Sequence, residues 1–271
     1  EAIESILNQT YKDFEFLIVY DKSTDNTLSI IQESQKQDER IILINGDKEG
    51  ISGALNIGIN KARGKYIARM DADDISLPTR FEVQINHMEN LGLDICGGHS
   101  LLIDSDGKVN GIGLVPRSHD LCGLSMMFMV PFAHSSVMIL KSFLTDYSLR
   151  YIGKYEDFDL WARMFSSGAK FGNVDDVVLQ YRVLKNSLSV VHAKGARRYN
   201  RGVLKIFRTK HHKFISEIVK HLDIRLLSEG EKSLVVRYTV NMALTRLDFF
   251  GLYKLKDIAL KIIVITALSE I

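Results

Sequence analysis

Apolar segments with the composition of buried strands alternate with helical segments in the amino-terminal part of the chain, and the links between them are short. Residues 14–20 form a nearly continuous run of strand-forming side chains, and residues 41–44 form a second run. Turn and helix-capping residues after the first run predict a helix that ends near Gln37. A second helix is predicted from about residue 52 to Arg63, where Gly64 closes it. This alternation predicts an open α/β sheet with parallel strands.

A third predicted strand, residues 65–71, ends in a cluster of carboxylates. Side chains two residues apart point to the same side of an extended chain, so Asp71 and Asp73 converge. Ligands of open α/β sheets bind beyond the carboxyl ends of the strands, and Asp21 follows the first strand in the same way. Mg²⁺ usually takes one or two protein carboxylates and completes its shell with water and phosphate oxygens. The pattern therefore predicts a divalent-cation site, and a solvated acidic turn is the alternative.

The residues after this pair predict the start of a helix, with Ser76 near the cap and Pro78 in the first turn. Asp74 is accordingly predicted to be a solvated turn residue. A calcium loop that begins at Asp71 is disfavoured, because Ser76 stands where such loops need glycine. An aspartyl nucleophile of the phosphatase type is also disfavoured, because those enzymes carry it on the first strand of their domain and two predicted strands precede Asp71.

Several motifs follow one another in a fixed order from residue 1 to about residue 190. They are Ser5–Tyr11, Val19–Asp25, Gly50 with Ala54–Gly58, Ala62–Asp74, His134–Met138, Glu156–Trp161, and Tyr181–Val183 with Ser187–Ser189. In this order and at this spacing, the chain resembles family 2 glycosyltransferases of the GT-A fold. Within that family it looks most like enzymes that build bacterial surface polysaccharides.

The resemblance implies inverting transfer of a sugar from a nucleoside-diphosphate donor, with UDP as the expected nucleotide, to a saccharide or polyprenyl-linked acceptor. It implies that Asp21 contacts the uracil and ribose. It also implies that Asp71 contacts the ribose and, together with Asp73, holds Mn²⁺ or Mg²⁺ on the diphosphate. The remaining residues assigned to the donor by the resemblance are Asn56, Arg63 and Arg182. A strand arginine such as Arg182 is just as commonly a surface ion-pair partner.

The resemblance further implies that the pair Glu156 and Asp157 supplies the catalytic base, with Asp157 as the base and Glu156 and Asp159 in support. Inverting displacement needs a base on the face opposite the leaving group, and a cation stabilises the charge that develops on the leaving diphosphate. The alternative is that these are first-turn acids that complement the dipole of an amphipathic helix, whose apolar face includes Trp161. A helix start lowers the pKa of a carboxylate, so a raised basicity needs burial or neighbouring acids.

The chain departs from the family pattern in three places. Family members begin with a strand and a loop against the nucleotide, whereas this sequence begins in the following helix at Glu1; we therefore expect an amino-terminal piece to be missing from it. Lys22 stands where the family has glycine, and Leu184 stands where it commonly has histidine. These departures leave a second hypothesis open, a non-catalytic module that binds nucleotide-sugars or carbohydrates. His134 either lines the acceptor site or caps a strand.

Composition is that of a globular chain, with 46% apolar and 25% charged residues and a net charge of +2. The two cysteines, Cys96 and Cys122, lie in apolar segments and are predicted to be buried thiols in a reducing compartment. The alternation of strands and helices ends near Asn186. We predict an incomplete GT-A catalytic domain over residues 1–190 and a helical extension over residues 191–271.

The predicted extension carries eight Lys or Arg residues and no acid between His192 and Ser216. Apolar helices are predicted to follow, at residues 231–250 and 254–268. A basic amphipathic helix beside apolar helices favours a cytoplasmic protein with peripheral contact to the inner membrane face, where Leu204 and Phe207 would insert. Packing against the catalytic domain or a second subunit is the alternative. The uncharged run from Ile262 to Ser269 is far shorter than the roughly 20 residues that span a bilayer. No nucleic-acid recognition motif accompanies the charge.

Overall fold

Strands and helices alternate through the first part of the chain as the apolar pattern predicts. The computed structural model describes residues 1–21, 23–46, 50–153, 155–184 and 193–236. Its helices are α1 (Ala2–Leu7), α2 (Thr27–Gln37), α3 (Gly50–Lys61), α4 (Arg80–Leu91), α5 (His119–Ser125), α6 (Lys141–Asp146), α7 (Glu156–Ser166) and α8 (Ala193–His221). Its strands are β1 (Phe16–Tyr20), β2 (Ile41–Asn45), β3 (Tyr66–Ala68), β4 (Ile75–Ser76), β5 (Ile95–Ile103), β6 (Val109–Gly113), β7 (Met138–Leu140) and β8 (Phe171–Arg182).

The described strands form two hydrogen-bonded sheets where the pattern predicts one parallel sheet. Strands β1 and β2 pair in parallel with each other. The other six form a mixed sheet in the order β3-β7-β5-β8-β4, with β6 attached to β5. Only β5 and β8 are parallel within it, whereas β3 runs antiparallel to β7. Apolar periodicity marks β3 as a strand, but it carries no information about a partner that lies some seventy residues further along the chain.

The segment after the carboxylates is not a helix start, and this corrects the prediction for Ser76 and Asp74. Residues Ile75 and Ser76 form β4 and pair with β8, and the helix begins only at Arg80. The amide side chain of Gln9 donates to the Ser76 hydroxyl at 3.1 Å. Asp74 is only 1% exposed. The pairing of β4 with β8 outweighs the local preference of the capping residues for a helix start, and Asp74 is buried beside this pair of strands.

Helices α5, α7 and α8 pack together over one large apolar cluster. The predicted apolar face of α7 is buried, and Trp161 on this face is fully buried in the cluster. Burial of each such side chain contributes roughly 2 kcal/mol to stability. The start of α7, where the acid pair lies, is therefore fixed by the core. Cys96 and Cys122 are buried free thiols, as predicted.

One face of helix α8 packs against α5 and α7, as the alternative of packing against the rest of the chain predicts for that face. Phe207 is 2% exposed, its ring centroid lies 5.4 Å from that of Phe165, and Leu204 packs against the same cluster. The prediction that Leu204 and Phe207 insert into a membrane is therefore wrong. Residues 229–236 are helical, and the rest of the predicted apolar helices lies outside the described residues. Among the residues described, no helix combines the length and the apolar content needed to cross a bilayer.

Candidate active site

Three carboxylates meet at the loop between β3 and β4. Asp71, Asp73 and Asp74 each offer a carboxylate oxygen, and these oxygens lie within 4.8 Å of one another. Burial and then the charge of Asp71 raise the pKa of Asp73. Burial also raises the pKa of Asp74 to about 6. The sequence identified the first two residues and missed Asp74, although it adjoins the pair.

This cluster fits a hard divalent cation. It offers only oxygen donors, which Mg²⁺ and Mn²⁺ prefer. The raised pKa values of Asp73 and Asp74 reflect burial and mutual repulsion that a bound cation would relieve. The residues that would hold the ion are Asp71 and Asp73, with Asp74 buried behind them.

The loop that carries the cluster is fixed by hydrogen bonds from two directions. The Asp71 amide donates to the Ser135 hydroxyl at 2.7 Å. The Arg182 amide donates to the Asp74 carboxylate at 2.8 Å, and the Arg182 Nε donates to the Asp73 carbonyl at 2.8 Å. Its Nη1 reaches two further carbonyls at 3.0 Å, and its Nη2 pairs with Glu1 at 2.9 Å. In this structure the Arg182 guanidinium holds the acidic loop, and its predicted contact with donor phosphate stays a prediction.

The acid pair lies at the start of α7, and burial decides its basicity. Burial raises the pKa of Glu156, and the adjacent charge of Asp157 adds to this. Burial also raises the pKa of Asp157, against the Phe158 amide that donates to it at 2.7 Å. The core around α7 thus outweighs the helix start, which by itself lowers a carboxylate pKa. Asp159 instead pairs with Arg163 one helical turn further on.

His134 and Tyr151 complete a buried polar group beside the acid pair. The His134 Nε2 lies 3.0 Å from the Tyr151 hydroxyl, and its Nδ1 lies 3.8 Å from the Glu156 carboxylate. Burial, followed by the charge of Arg69, places the pKa of His134 well below its ordinary value, so the imidazole is neutral. The sequence left the role of His134 open. It missed Tyr151, since only tertiary contact brings that side chain to the acids.

Asn56 is part of the same region, through the backbone of Tyr151. Its side-chain amide donates to the Tyr151 carbonyl at 2.9 Å and accepts from the Tyr151 amide at 2.9 Å. The Ser52 hydroxyl donates to the Gly153 carbonyl at 2.5 Å. Helix α3 therefore holds the segment that leads into α7. The donor contact predicted for Asn56 stays a prediction beside this bond.

Asp21 and Arg63 lie at opposite ends of β1. Asp21 follows the strand and lies beside Gly46, where an added Cβ would come 3.1 Å from the Asp21 Oδ1. Arg63 pairs with Glu15, which precedes the strand, at 2.9 Å. A five-residue strand is roughly 17 Å long. The structure thus places Asp21 at the carboxyl edge and does not bring Arg63 to it.

Electrostatic coupling links the loop to the acid pair. The charge of Asp71 raises the pKa of both Glu156 and Asp157, and the charge of Arg69 lowers both. Contacts also bring the two acid groups near each other, since the Asp71 amide donates to Ser135 at 2.7 Å and the adjacent His134 lies 3.8 Å from the Glu156 carboxylate. Such an arrangement can hold a diphosphate through a cation on one side and accept a hydroxyl proton on the other.

Comparison with known proteins identifies the family. The sequence model of glycosyl transferase family 2 matches residues 1–144, more than half of the chain. The chain belongs to family 2 glycosyltransferases, as its motifs predict. WfaP of Escherichia coli, a UDP-Glc:alpha-D-GlcNAc-diphosphoundecaprenol beta-1,3-glucosyltransferase, is 33% identical over 79% of this chain and 83% of its own length.

Further relatives cover a smaller share of their own length. An uncharacterized glycosyltransferase of Methanocaldococcus jannaschii is 36% identical over 68% of this chain, and the match spans 65% of that relative. Another, from Haemophilus influenzae, is 32% identical over 71% of this chain and spans 63% of that relative. This chain therefore spans slightly less than two thirds of the length of both relatives.

The fold is that of a solved glycosyltransferase. The crystal structure of S. aureus TarS 1-349 in complex with UDP-GlcNAc has a TM-score of 0.60 at 12% identity, and the match covers 96% of this chain and 84% of that one. The complex of the same protein with UDP has a TM-score of 0.57 at 14% identity. The predicted GT-A fold with a carboxy-terminal helical region is confirmed.

Proposed function

We propose that this protein is an inverting glycosyltransferase that moves a sugar from a UDP-sugar to a saccharide or polyprenyl-linked acceptor in surface polysaccharide synthesis. The observation that carries the proposal is that two acid groups lie near each other, linked through Ser135 and the adjacent His134. A carboxylate cluster suited to a cation lies in the loop after β3, and an acid pair with raised pKa values, of which Glu156 is buried and Asp157 half-buried, begins α7. The name of WfaP supports the donor and acceptor classes, and the TarS complexes support the nucleotide.

The chemistry assigns one task to each acid group. Asp71 and Asp73 would hold the cation, which would stabilise the negative charge that develops on the departing diphosphate. The acceptor oxygen forms a bond to the anomeric carbon of the donor sugar from the opposite face. The bond from that carbon to the diphosphate oxygen breaks, and its electron pair stays on the diphosphate. Asp157 takes the proton of the acceptor hydroxyl, and Glu156 and the neutral His134 beside it shape its surroundings.

The domain boundary is part of the proposal. Residues 1–190 form the catalytic domain and residues 191–271 the helical extension, whose first helix packs on α5 and α7. Asp21 contacts the uridine of the donor. Arg63 stays outside the site that we propose, since its partner Glu15 lies at the other end of β1.

The non-catalytic binding module is the second hypothesis, and turnover separates it from the enzyme. With Mn²⁺ present, an enzyme releases UDP from a UDP-sugar by slow hydrolysis even without an acceptor, whereas a binding module is stabilised by the UDP-sugar and leaves it intact. We expect UDP release from at least one common UDP-sugar. Stabilisation by several UDP-sugars with no release, with or without an acceptor, would favour the binding module.

Nucleotide selectivity tests the role of Asp21. A carboxylate at the carboxyl edge of β1 can accept a hydrogen bond from the N–H of uracil. We expect UDP with Mn²⁺ to raise the melting temperature more than ADP or GDP does, and Asp21→Ala to abolish this preference. Asp25→Ala, an exposed acid at the start of α2, is the matched control. Stronger stabilisation by GDP would revise the donor class and leave the fold assignment unchanged.

The exposed face of α8 supports the proposed peripheral membrane contact. Arg201, Lys205 and Lys213 are exposed, and Ile206 beside them is 71% exposed. Each basic residue close to an anionic surface adds about 1 kcal/mol of attraction, so the three together give roughly a hundredfold in partitioning. A surface-bound enzyme would meet a lipid-linked acceptor in the plane of the membrane.

Liposome co-sedimentation tests this contact. We expect binding to vesicles that contain phosphatidylglycerol, loss of binding at high salt, and no binding to neutral phosphatidylcholine vesicles. The triple change of Arg201, Lys205 and Lys213 to Gln should lower binding about a hundredfold at low salt. The matched control changes three exposed lysines on other elements to Gln, namely Lys12, Lys61 and Lys108. Equal binding of both triple variants, or none by the wild type, would assign α8 to packing alone.

A further inference from the structure

Arg69 is a buried arginine between the two acid groups, and neither the motif pattern nor the comparisons assign it a role. Its side chain is 6% exposed. Its backbone is held on both sides, since its amide donates to the Val137 carbonyl at 2.9 Å and its carbonyl accepts from Arg80 at 2.7 Å. The base of the side chain is therefore fixed in the sheet, directly before the acidic loop.

The guanidinium forms a two-pronged ion pair with the first carboxylate of the cluster. Its Nη1 donates to the Asp71 Oδ2 at 2.6 Å, and its Nη2 donates to the Oδ1 at 2.5 Å. A planar fork of this kind fixes the orientation of a carboxylate as well as its charge. Within the described part of the chain, the Nε of Arg69 is a buried donor that has no hydrogen-bond partner.

The same guanidinium lies near the acid pair of α7, because the amide of its partner Asp71 donates to Ser135 at 2.7 Å and the adjacent His134 lies 3.8 Å from the Glu156 carboxylate. Its charge lowers the pKa of Glu156 and of Asp157, against the burial that raises them. The charged and titratable groups around Asp157 are Arg69 and Asp71 in the loop after β3, Tyr151 from the segment before α7, and the neutral His134, which lies 3.8 Å from Glu156. Glu156 precedes it on the same helix. Three of these are acids or phenols, so Arg69 supplies the positive charge in this set.

We propose that Arg69 is a positioning residue that links the cation-binding carboxylate Asp71 to the base Asp157. Its fork fixes the plane of the Asp71 carboxylate, and its charge allows two acid groups and a donor diphosphate to occupy one space. The inference rests on the proposed function and deepens it. Arg69 touches Asp71 and acts on the reaction through that contact and through its field at Asp157.

Two substitutions separate the two tasks. Arg69→Met removes both the fork and the charge. Arg69→Lys keeps a charge but offers a compact ammonium in place of the fork. We expect UDP-sugar turnover to fall by about tenfold or more in both variants, with a changed half-saturation for Mn²⁺ binding, measured by calorimetry on the protein without a donor. Because the base acts when deprotonated, loss of the charge raises its pKa and moves the acidic limb of the pH–rate profile to higher pH. We expect about one pH unit in Arg69→Met and little movement in Arg69→Lys.

The controls distinguish the failure of this inference from that of the proposed function. Arg225→Met removes an arginine whose side chain is 86% exposed, and it should change neither turnover nor the acidic limb of the pH–rate profile. Wild type without any turnover overturns the proposed function, and this inference with it. A different result is an active wild type while Arg69→Met shows an unchanged half-saturation for Mn²⁺ and an unchanged acidic limb of the pH–rate profile. That result would overturn the role of Arg69 and leave the proposed function standing. If Arg69→Met fails to fold, Arg69→Lys decides, because normal turnover with normal Mn²⁺ dependence in that variant contradicts the need for the fork.

Discussion

Asp157→Asn is expected to lower sugar transfer by roughly 10²–10⁴-fold, the usual contribution of general-base catalysis, and to leave UDP-sugar binding unchanged. The substitution keeps the shape of the side chain and its place at the start of α7 but removes its ability to take a proton. Binding depends on the cation cluster and the edge of β1, which the change does not touch. Single-turnover transfer and nucleotide binding, measured on the same preparation, separate the two effects.

The pH–rate profile provides a further test of Asp157, because the raised pKa predicts the direction in which activity changes with pH. Burial raises the pKa of Asp157, and the base acts only when it is deprotonated. Activity should therefore fall as the pH drops through a pKa above the ordinary value of 3.8. Asp157→Asn should lose this acidic limb together with the activity.

Two neighbouring acids serve as controls. Asp159→Asn makes the same chemical change two residues further on, where the carboxylate pairs with Arg163, and should cost little activity. Glu156→Gln should reduce transfer less than Asp157→Asn does. If Glu156→Gln is the more damaging change, the base lies one residue earlier and the mechanism otherwise stands.

Local patterns were sufficient to predict the elements that carry the site. The apolar runs correctly predicted β1 and β2, and the apolar periodicity of α7 correctly predicted a helix with acids in its first turn. These features are encoded in consecutive residues, so one sequence suffices to find them. The motif order added the family, because it combines several such segments at fixed spacing.

Contacts between distant segments explain what the sequence missed. Asp74 is buried because β4 pairs with β8, and Arg182, more than one hundred residues away, donates to it. Tyr151 contacts His134, 17 residues earlier, and its backbone is held by Asn56, 95 residues earlier. Capping and turn signals report local preference and cannot reveal such partners. The direction of the pKa shift at Asp157 was equally hidden, since it depends on how deeply α7 is buried.

Asp73→Asn is expected to weaken UDP-sugar binding in the presence of Mn²⁺ and to abolish transfer, with the fold intact. Asp73 is exposed as a residue and only its carboxylate is partly shielded by the neighbouring groups, so its loss costs little stability. A cation contributes several kcal/mol to stabilising a leaving diphosphate, and a neutral amide is a much weaker ligand for it than a carboxylate. Transfer should therefore fall by at least about a hundredfold. Asp106→Asn, in the exposed turn between β5 and β6, is the matched control.

Chelation provides the decisive comparison for the cation. If Asp73 acts through the ion, removing the ion with EDTA should weaken donor binding in the wild type and have little further effect in Asp73→Asn. The two changes should thus be non-additive, as expected for groups that act as one unit. Additive losses would assign Asp73 a direct contact with the donor. Binding at wild-type strength in Asp73→Asn, with or without the ion, would remove the carboxylate cluster from the mechanism. That outcome would leave Asp157 as a base without a metal-bound leaving group, and Arg182 or Arg69 would have to stabilise the diphosphate instead.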